Sequence, residues 1–290
     1  MRPANQLPRL ARSLFVLSAV AGVGACAAAS SEQAEPGTWT AHAVRFGTLP
    51  AFPLRALIAG SDTAIRIDVA LTVWPLQAPD GDIVLVDAGF TREKFITQWK
   101  PTDFVTPDSA LRRAGFDPAR VTDIIVSHVH WDHADGVQRF PGARIWLQRE
   151  EFEHYVGADG SALDRAIDPD VAAMYRRLFD AGRVQLADGD SAEIRPGIRV
   201  YTGGKHTFAS QYVGVQTEAG TVIIASDNAY LYGNLEGERP IAQTLDSLSN
   251  LRAQRRMLQL AGRPSLVVPG HDPEVFARFG AAGVGSVVVR

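Results

Sequence analysis

The sequence contains only one cysteine, Cys26, among its 290 residues. A domain folded from the chain after this residue can have neither an internal disulfide nor a cysteine that serves as nucleophile or metal ligand. An excess of positive charge is lacking too, because 29 Lys and Arg face 32 Asp and Glu, for a formal net charge of -3. Nucleic-acid binding needs a basic surface, so we expect no nucleic-acid partner.

The apolar run from Leu14 to Ala25 has about half of the roughly 20 residues that a membrane-spanning helix needs. Three arginines precede it, which is the pattern of a secretory signal. Val23–Cys26 places small residues before a cysteine and resembles the lipobox of bacterial lipoproteins. The resemblance implies that residues 1–26 hold a signal peptide and that Cys26 carries a lipid, in the periplasm or at the outer membrane. Cleavage among Ala27–Ala29 is the alternative and would release a soluble exported protein.

Residues 27–37 are rich in Ala, Ser and Glu and end with Pro36-Gly37. Such a segment has no core-forming pattern, so we expect a flexible tether. Residues 38–290 are expected to form one domain, because two strand-rich halves, each followed by helices, have no Pro-, Ser- or Gly-rich linker between them. The composition, 46% hydrophobic and 21% charged, is that of a globular protein.

Apolar, β-branched runs predict strands, and amphipathic periodicity predicts helices between them. The strands are expected at 65–74, 83–87, 121–126, 143–147, 198–201, 212–217, 221–225 and 265–268. The first two should pair as a hairpin through the turn residues 80–82. A helix is expected over 170–181. Another is expected over 244–260, and its inward face should carry Leu245, Leu248, Leu251 and Leu258.

The segment that follows the strand at 121–126 is unusually rich in metal-binding side chains. His128, His130, Asp132 and His133 lie within six residues, in a chain that has seven histidines. Imidazoles and a carboxylate on a loop that leaves a rigid strand suit zinc or another borderline divalent metal. The alternative is a solvated polar loop that binds no metal, and it would require three of the histidines to fall in this segment by chance. The sequence therefore predicts a metal site here.

Written as His-x-His-x-Asp-His, the segment resembles the signature of the metallo-β-lactamase superfamily. The resemblance implies an α/β fold, a four-layered αβ/βα sandwich with the metal site at one edge of two facing sheets. It also implies a later His, Asp and His, and His206, Asp227 and His271 occupy these places in order. Taken singly, residues of these types would more often be caps or surface groups.

The resemblance further implies two divalent metal ions, with zinc expected first and manganese, cobalt or iron as alternatives. Each ion would have three ligands of its own and the two would share a bridging acid. The first ion would be bound by His128, His130 and His206, the second by Asp132, His133 and His271, and both by Asp227. Asp87, in Asp87-Ala88-Gly89, resembles a turn whose acid supports the site, although capping of the turn would explain it as well.

Asp227-Asn228-Ala229-Tyr230 gives the chain most resemblance to the N-acyl-homoserine lactonase family, over roughly residues 65–280. The resemblance implies that a metal-bridging hydroxide attacks and opens a lactone ring. Tyr230 would stabilise the oxyanion and Asp132 would protonate the leaving alkoxide. Tyr232 is a rival for the first role, and a purely structural Tyr230 is the other interpretation. Alternative functions are hydrolysis of another carboxylic ester or a β-lactam, and metal binding without catalysis in the cell envelope.

The expected partner is a small-molecule lactone or ester, with membrane contact only through the lipid. Trp131, Phe208 and Tyr232, together with residues 46–57, could line an apolar slot for an acyl chain, or could be core. His154 lies among glutamates and is expected at the surface. The sequence predicts no particular oligomeric state.

We expect Cys26→Ser to move the protein from the membrane fraction to the soluble fraction, because the lipid supplies the membrane affinity. Cys26 is the only cysteine, so the substitution changes no other thiol. Fractionation of both proteins from a Gram-negative host, followed by immunoblotting, measures the effect. Equal distribution of the two proteins would favour plain secretion.

Overall fold

The computed structural model describes residues 38–290, so the predicted signal peptide, Cys26 and the tether of residues 27–37 lie outside the described residues. This part of the chain contains both strands and helices. The strands are β1 Thr40–Pro53, β2 Arg66–Gln77, β3 Ile83–Val86, β4 Val121–Ile125, β5 Arg144–Gln148, β6 Val184–Ala187, β7 Ala192–Arg195, β8 Ile198–Thr202, β9 Gln211–Thr217, β10 Gly220–Ile224, β11 Val267–Val268, β12 Gly280–Gly283 and β13 Ser286–Val289. The helices are α1 Glu93–Trp99, α2 Pro107–Arg113, α3 Trp131–Ala134, α4 Arg149–Tyr155, α5 Pro169–Asp180, α6 Tyr232–Glu236, α7 Ser247–Ala261 and α8 Val275–Arg278.

The strands form two sheets. The first has the order β12-β13-β1-β2-β3-β4-β5-β6, and the second has the order β11-β10-β9-β8-β7. The predicted hairpin is confirmed, since β2 and β3 are antiparallel and Gln77 lies opposite Ile83. From β3 to β6 the first sheet is parallel, because helical segments connect these strands.

Successive side chains of the central strands point to opposite faces of the first sheet, and this divides the core into two layers. Ile83 and Leu85 of β3 pack with the helices on one face of the first sheet, whereas Val84 and Val86 pack toward the second sheet. Helix α7 covers the second sheet, and its Met257 is fully buried there. The layers are therefore helices, sheet, sheet and helix, which confirms the predicted four-layered sandwich. Within residues 38–290, no helix combines the length and apolar character that a membrane span requires.

The inward face of α7 differs from the prediction. The helix begins at Ser247, after Asp246 caps it, and Leu245 and Leu248 are each 68% exposed. Its buried positions are Asn250, Ala253, Gln254, Met257 and Ala261. The prediction failed because leucine spacing indicated a purely apolar face, whereas this face donates side-chain hydrogen bonds to a buried loop that is described below.

Several strands that the sequence did not predict lie at the ends of the described chain. The strand at 265–268 is not the last one, because β13 returns to pair with β1. β1 is 14 residues long but has two register shifts against β2, at Arg45/Gly47 and Leu49/Phe52. These irregularities break the period-two pattern by which a strand is recognised.

A buried acid in the middle of β4, together with two arginines, ties the two sheets together. Asp123, which has no exposed surface, accepts hydrogen bonds from Arg195 Nε of β7 (2.9 Å), Arg144 Nε of β5 (3.0 Å) and Trp146 Nε1 (2.8 Å). Burial raises the pKa of Asp123, but these donors outweigh it and hold the pKa below the ordinary value. The carboxylate therefore stays ionised and anchors both sheets.

Candidate metal centre

The seven predicted ligand residues come together at one edge of the sandwich, each on a segment that follows a strand. The segment that begins at His128 follows β4, His206 follows β8, Asp227 follows β10 and His271 follows β11. The side-chain atoms fall into two groups, and within each group they all lie within 4.8 Å of one another. The first group is His128, His130, His206 and Asp227, and the second is Asp132, His133 and His271.

In the first group three imidazole nitrogens converge on one point. His206 Nε2 lies 3.1 Å from His128 Nε2 and 2.9 Å from His130 Nδ1, and the last two atoms are 3.0 Å apart. Backbone carbonyls fix the rings on either side of the site, because His206 Nδ1 donates to Gln243 O (2.8 Å) and His271 Nδ1 donates to Ala70 O (2.9 Å). Both residues therefore present the lone pair of Nε2 to the cluster.

Asp227 lies between the two groups and turns one oxygen to each. Its Oδ2 is 3.3 Å from His206 Nε2, and its Oδ1 is 2.9 Å from His271 Nε2 and 3.1 Å from His133 Nε2. Asp132 Oδ2 completes the second group, 3.6 Å from His133 Nε2. This is the arrangement that a bridging acid between two cations would need.

The cluster fits divalent metal ions by its donor chemistry. Asp227 Oδ1 and His133 Nε2 are buried and have no partner in hydrogen-bonding geometry, although they are 3.1 Å apart. Buried polar atoms without partners are rare in folded proteins, and these two point into a set of nitrogen and oxygen donors. Such a set suits zinc-like ions, so a cation in the cluster would satisfy atoms that the protein leaves unpaired.

The two groups differ electrostatically. Burial, with repulsion from neighbouring imidazoles, holds the pKa of His128 well below its usual value, and burial lowers that of His206 to about 3. Burial lowers the pKa of His133, but the negative charges of Asp227 and Asp132 outweigh burial and raise this pKa well above the usual value. Burial opposes ionisation of Asp227, yet the adjacent histidines hold its pKa well below the ordinary range. The imidazoles of the first group are therefore neutral, whereas the second group stabilises positive charge.

Asp87 supports the cluster from behind. It is buried, with a φ of 60°, and its carboxylate accepts from Ser127 N (2.8 Å), Ser127 Oγ (3.0 Å) and His133 Nδ1 (2.8 Å). Ser127 Oγ in turn lies 2.9 Å from His128 Nδ1, and Ser226 Oγ donates to Asp87 Oδ2 (3.1 Å). Asp87 thus orients one histidine of each group, which favours the supporting role over turn capping.

The loop that carries His206 depends on close backbone approach. A Cβ on Gly203 would lie 2.2 Å from Asn228 Oδ1, and one on Gly204 would lie 2.5 Å from Asn250 Cα. The sequence suggested that these glycines supply conformational freedom, but the residue with positive φ is Lys205, at 61°. Asn228 links this loop to α7, because Gly204 N donates to Asn228 Oδ1 (2.7 Å) and Asn250 Nδ2 of α7 donates to Asn228 O (2.9 Å).

A cavity of about 260 Å³ opens onto the cluster. The predicted segment 46–57 contributes Leu49, Phe52 and Leu57 to its wall, and Trp131 and Tyr230 also line it. Trp99, Arg165 and Gln243 line it as well, which no local pattern in the sequence indicated.

Two aromatic residues proposed for the apolar slot lie elsewhere. Tyr232 is buried beneath the Arg278 guanidinium, which sits 3.5 Å from its ring centroid. Phe208 stacks on the exposed ring of His154, 4.0 Å between centroids. Of the two tyrosines, Tyr230 is therefore the one at the cavity, and its hydroxyl lies 3.3 Å from His206 Nδ1.

Comparison with known proteins identifies similar chains. The model of the metallo-beta-lactamase superfamily matches residues 72–271. An N-acyl homoserine lactonase from Bacillus sp is 30% identical over 166 residues, which is 57% of this chain and 61% of that protein. The N-acyl homoserine lactonase AttM of Agrobacterium fabrum (strain C58) is 26% identical over 176 residues, 58% of this chain and 65% of that protein. The matches thus span less than two thirds of these relatives.

Solved structures give the same fold. A quorum-quenching N-acyl homoserine lactone lactonase superposes with a TM-score of 0.67 at 21% identity, over 83% of this chain and 95% of that one. AidC, a dizinc quorum-quenching lactonase in complex with a product, superposes with a TM-score of 0.60 at 16% identity, over 83% and 90%. At these identities the likeness establishes the fold alone.

We expect Asp87→Asn to weaken binding of Zn²⁺, used as the test ion, by about 10- to 100-fold, because an amide cannot accept from all the donors that now orient the cluster. Competition with a chromogenic chelator measures the affinity. Asp80→Asn, an exposed acid in the β2–β3 turn, is the control. Equal affinities for wild type and Asp87→Asn would show that the network does not support the metal centre.

Proposed function

Because the chain belongs to the metallo-β-lactamase superfamily, we propose that it is a metal-dependent hydrolase that opens the ring of N-acyl-homoserine lactones. The observation that carries the proposal is the seven-residue His and Asp cluster, which faces an apolar cavity with one phenol in reach. The names of the curated relatives, N-acyl homoserine lactonases, support the substrate class. We also propose that the protein acts outside the cytoplasm, where the predicted signal would send it.

We propose two divalent ions, zinc before manganese, cobalt or iron. The first-group residues would hold one ion and the second-group residues the other, with Asp227 shared, as their distances suggest. Bound there, the ions would act as Lewis acids toward the ester carbonyl and would lower the pKa of water. The remaining chemistry belongs to side chains of the protein.

We assign Tyr230 the role of donating a hydrogen bond to the negative charge that develops on the carbonyl oxygen. Burial, and repulsion of a phenolate by Asp227, raise the pKa of Tyr230 well above its usual value, so its hydroxyl keeps its proton. A preorganised donor aimed at the point where charge forms lowers the barrier of the reaction. The nearby His206 Nδ1 is bonded to Gln243 O, which leaves the phenol free to turn to a substrate.

We assign Asp132 the role of carrying a proton to the leaving alcohol. It lines the cavity, keeps 15% of its side chain exposed, and lies 3.6 Å from His133 Nε2 and 3.9 Å from His271 Nε2. A carboxyl group at this position can take a proton from the attacking water and give it to the alkoxide.

The cavity wall suits an acyl substituent. Trp131 stacks on Trp99 with ring centroids 5.2 Å apart and planes within 10°. The same two rings and Arg165 border a second cavity of about 640 Å³, which Leu163 and Ile167 also line. A substrate with a small polar ring at the cluster would lay its apolar acyl chain along Trp99 and Trp131, and would so occupy both cavities.

We expect the Zn²⁺-loaded protein to bind two equivalents of metal and to hydrolyse N-decanoyl-homoserine lactone with a higher kcat/KM than an aryl ester or a chromogenic β-lactam. Chelation should abolish turnover and added metal should restore it, because the water must be acidified. Elemental analysis and pH-stat titration measure both quantities. Asp227→Asn serves as the comparison, and it should lose a larger fraction of its turnover than of the metal that the first group binds. Faster β-lactam or aryl-ester turnover, or a single equivalent of metal, would contradict the proposal.

We expect Tyr230→Phe to lower kcat on the lactone by about tenfold or more, with a smaller change in KM, because the lost hydrogen bond forms mainly in the transition state. Tyr232→Phe is the matched control, since Tyr232 lies outside the cavity. Steady-state kinetics at equal metal content measure the effect. Unchanged kinetics for Tyr230→Phe would remove it from the mechanism.

A further inference from the structure

Glu151 is a buried acid that lies outside the metal cluster and has no role in the chemistry above. It is on α4, between the exposed Glu150 and Glu153, and has no exposed surface of its own. A carboxylate removed from water is strongly destabilising unless hydrogen bonds or a cation compensate it. The hydrogen-bond partners of Glu151 therefore determine what this buried acid contributes to the structure.

Glu151 accepts hydrogen bonds from both loops that supply the first group of imidazoles. Its Oε1 accepts from Thr207 Oγ1 (2.6 Å) and Val129 N (3.2 Å), and its Oε2 accepts from Ala209 N (2.6 Å). Val129 lies between His128 and His130, and Thr207 directly follows His206. A single side chain therefore joins the loop after β4, in the first sheet, to the loop after β8, in the second sheet.

The contact is buried, and no cation among the described residues is paired with the carboxylate. Val129 and Thr207 are themselves buried, so water cannot replace the carboxylate without a rearrangement. No Lys, Arg or His within residues 38–290 forms an ion pair with Glu151, and Lys205 acts on it only at longer range. Burial raises the pKa of Glu151 to about 7, and the three donors oppose this rise. The donors are thus the partners that keep the group in place.

We propose that Glu151 is a positioning residue, which fixes the distance between the His128-Val129-His130 loop and the His206 loop so that three imidazole nitrogens converge. The inference rests on the metal centre of the proposed function, though not on its substrate. Asp87 orients His133 and His128 from the other side of the cluster, and no contact joins it to Thr207 or Ala209. Glu151 therefore supplies the link to the His206 loop that Asp87 does not provide.

The test compares Zn²⁺ affinity, by competition with a chromogenic chelator, in wild type and Glu151→Gln. Glutamine keeps the shape, but its NH₂ group faces a donor, so the tightest Zn²⁺-binding step should weaken by about 10- to 100-fold. The visible spectrum of the Co²⁺-loaded protein should also change, because the first-group ligands move. Glu153→Gln, exposed on the same helix, should match wild type in both measurements.

A second control separates positioning from general stability. Asp123→Asn removes a buried acid in the middle of β4, outside the metal cluster, and should lower the Tm of the metal-free protein without weakening Zn²⁺ binding. If Glu151→Gln lowers Tm but binds Zn²⁺ as wild type does, Glu151 is merely structural and the proposal is overturned. Wild type that binds Zn²⁺ tightly but hydrolyses no lactone would refute the proposed function and leave this inference standing.

Thr207 gives an independent arm, in case Glu151→Gln does not fold. Thr207→Val removes the shortest donor to Oε1 at nearly constant volume, whereas Thr207→Ser keeps the hydroxyl. We expect weaker Zn²⁺ binding for Thr207→Val and near-normal binding for Thr207→Ser. Where all variants fold, the double variant Glu151→Gln/Thr207→Val should lose less Zn²⁺-binding free energy than the two single variants lose together. The reason is that the two residues act through one contact. Wild-type affinity in Thr207→Val, or additive losses, would count against the link.

Discussion

The carboxylate of Asp87 is the contact on which the geometry of the metal centre depends most. It accepts from Ser127, Ser226 and His133, and so joins the ends of β3, β4 and β10 at the point where their loops begin. Both Asp87 and Ser226 have positive φ, at 60° and 47°. Non-glycine residues persist in this region when surrounding interactions over-determine them. Here the interaction that holds them is the one that orients the imidazoles, so local backbone strain and ligand geometry have a common cause.

Much of the site could be predicted from the sequence, because metal ligands keep their type and their order along the chain. The His-x-His-x-Asp-His segment indicated a metal site by itself, and His206, Asp227 and His271 followed at strand ends. The apolar strands indicated an α/β domain, and its four-layered arrangement came from the family resemblance. Local pattern makes the first four ligand residues conspicuous, whereas the other three were assigned through the order that the resemblance implies.

The parts that were missed depend on contacts distant in sequence. Glu151 resembles its neighbours Glu150 and Glu153, and only the approach of the His206 loop makes it buried. Likewise the inward face of α7 carries Asn250 and Gln254 because the Asn228 loop packs there, which leucine spacing could not reveal. Neither arrangement changes the local sequence pattern, so no reading of helix periodicity would have found it.

The direction of β1 sets the distance between the start of the described chain and the cavity. Thr40, where β1 begins, lies opposite Gln77 at the hairpin end of β2, whereas Leu49 and Phe52, near its other end, line the cavity. Nine residues of extended strand span roughly 30 Å. The first described residues and the cavity therefore lie at opposite ends of the first sheet, separated by about the length of one strand.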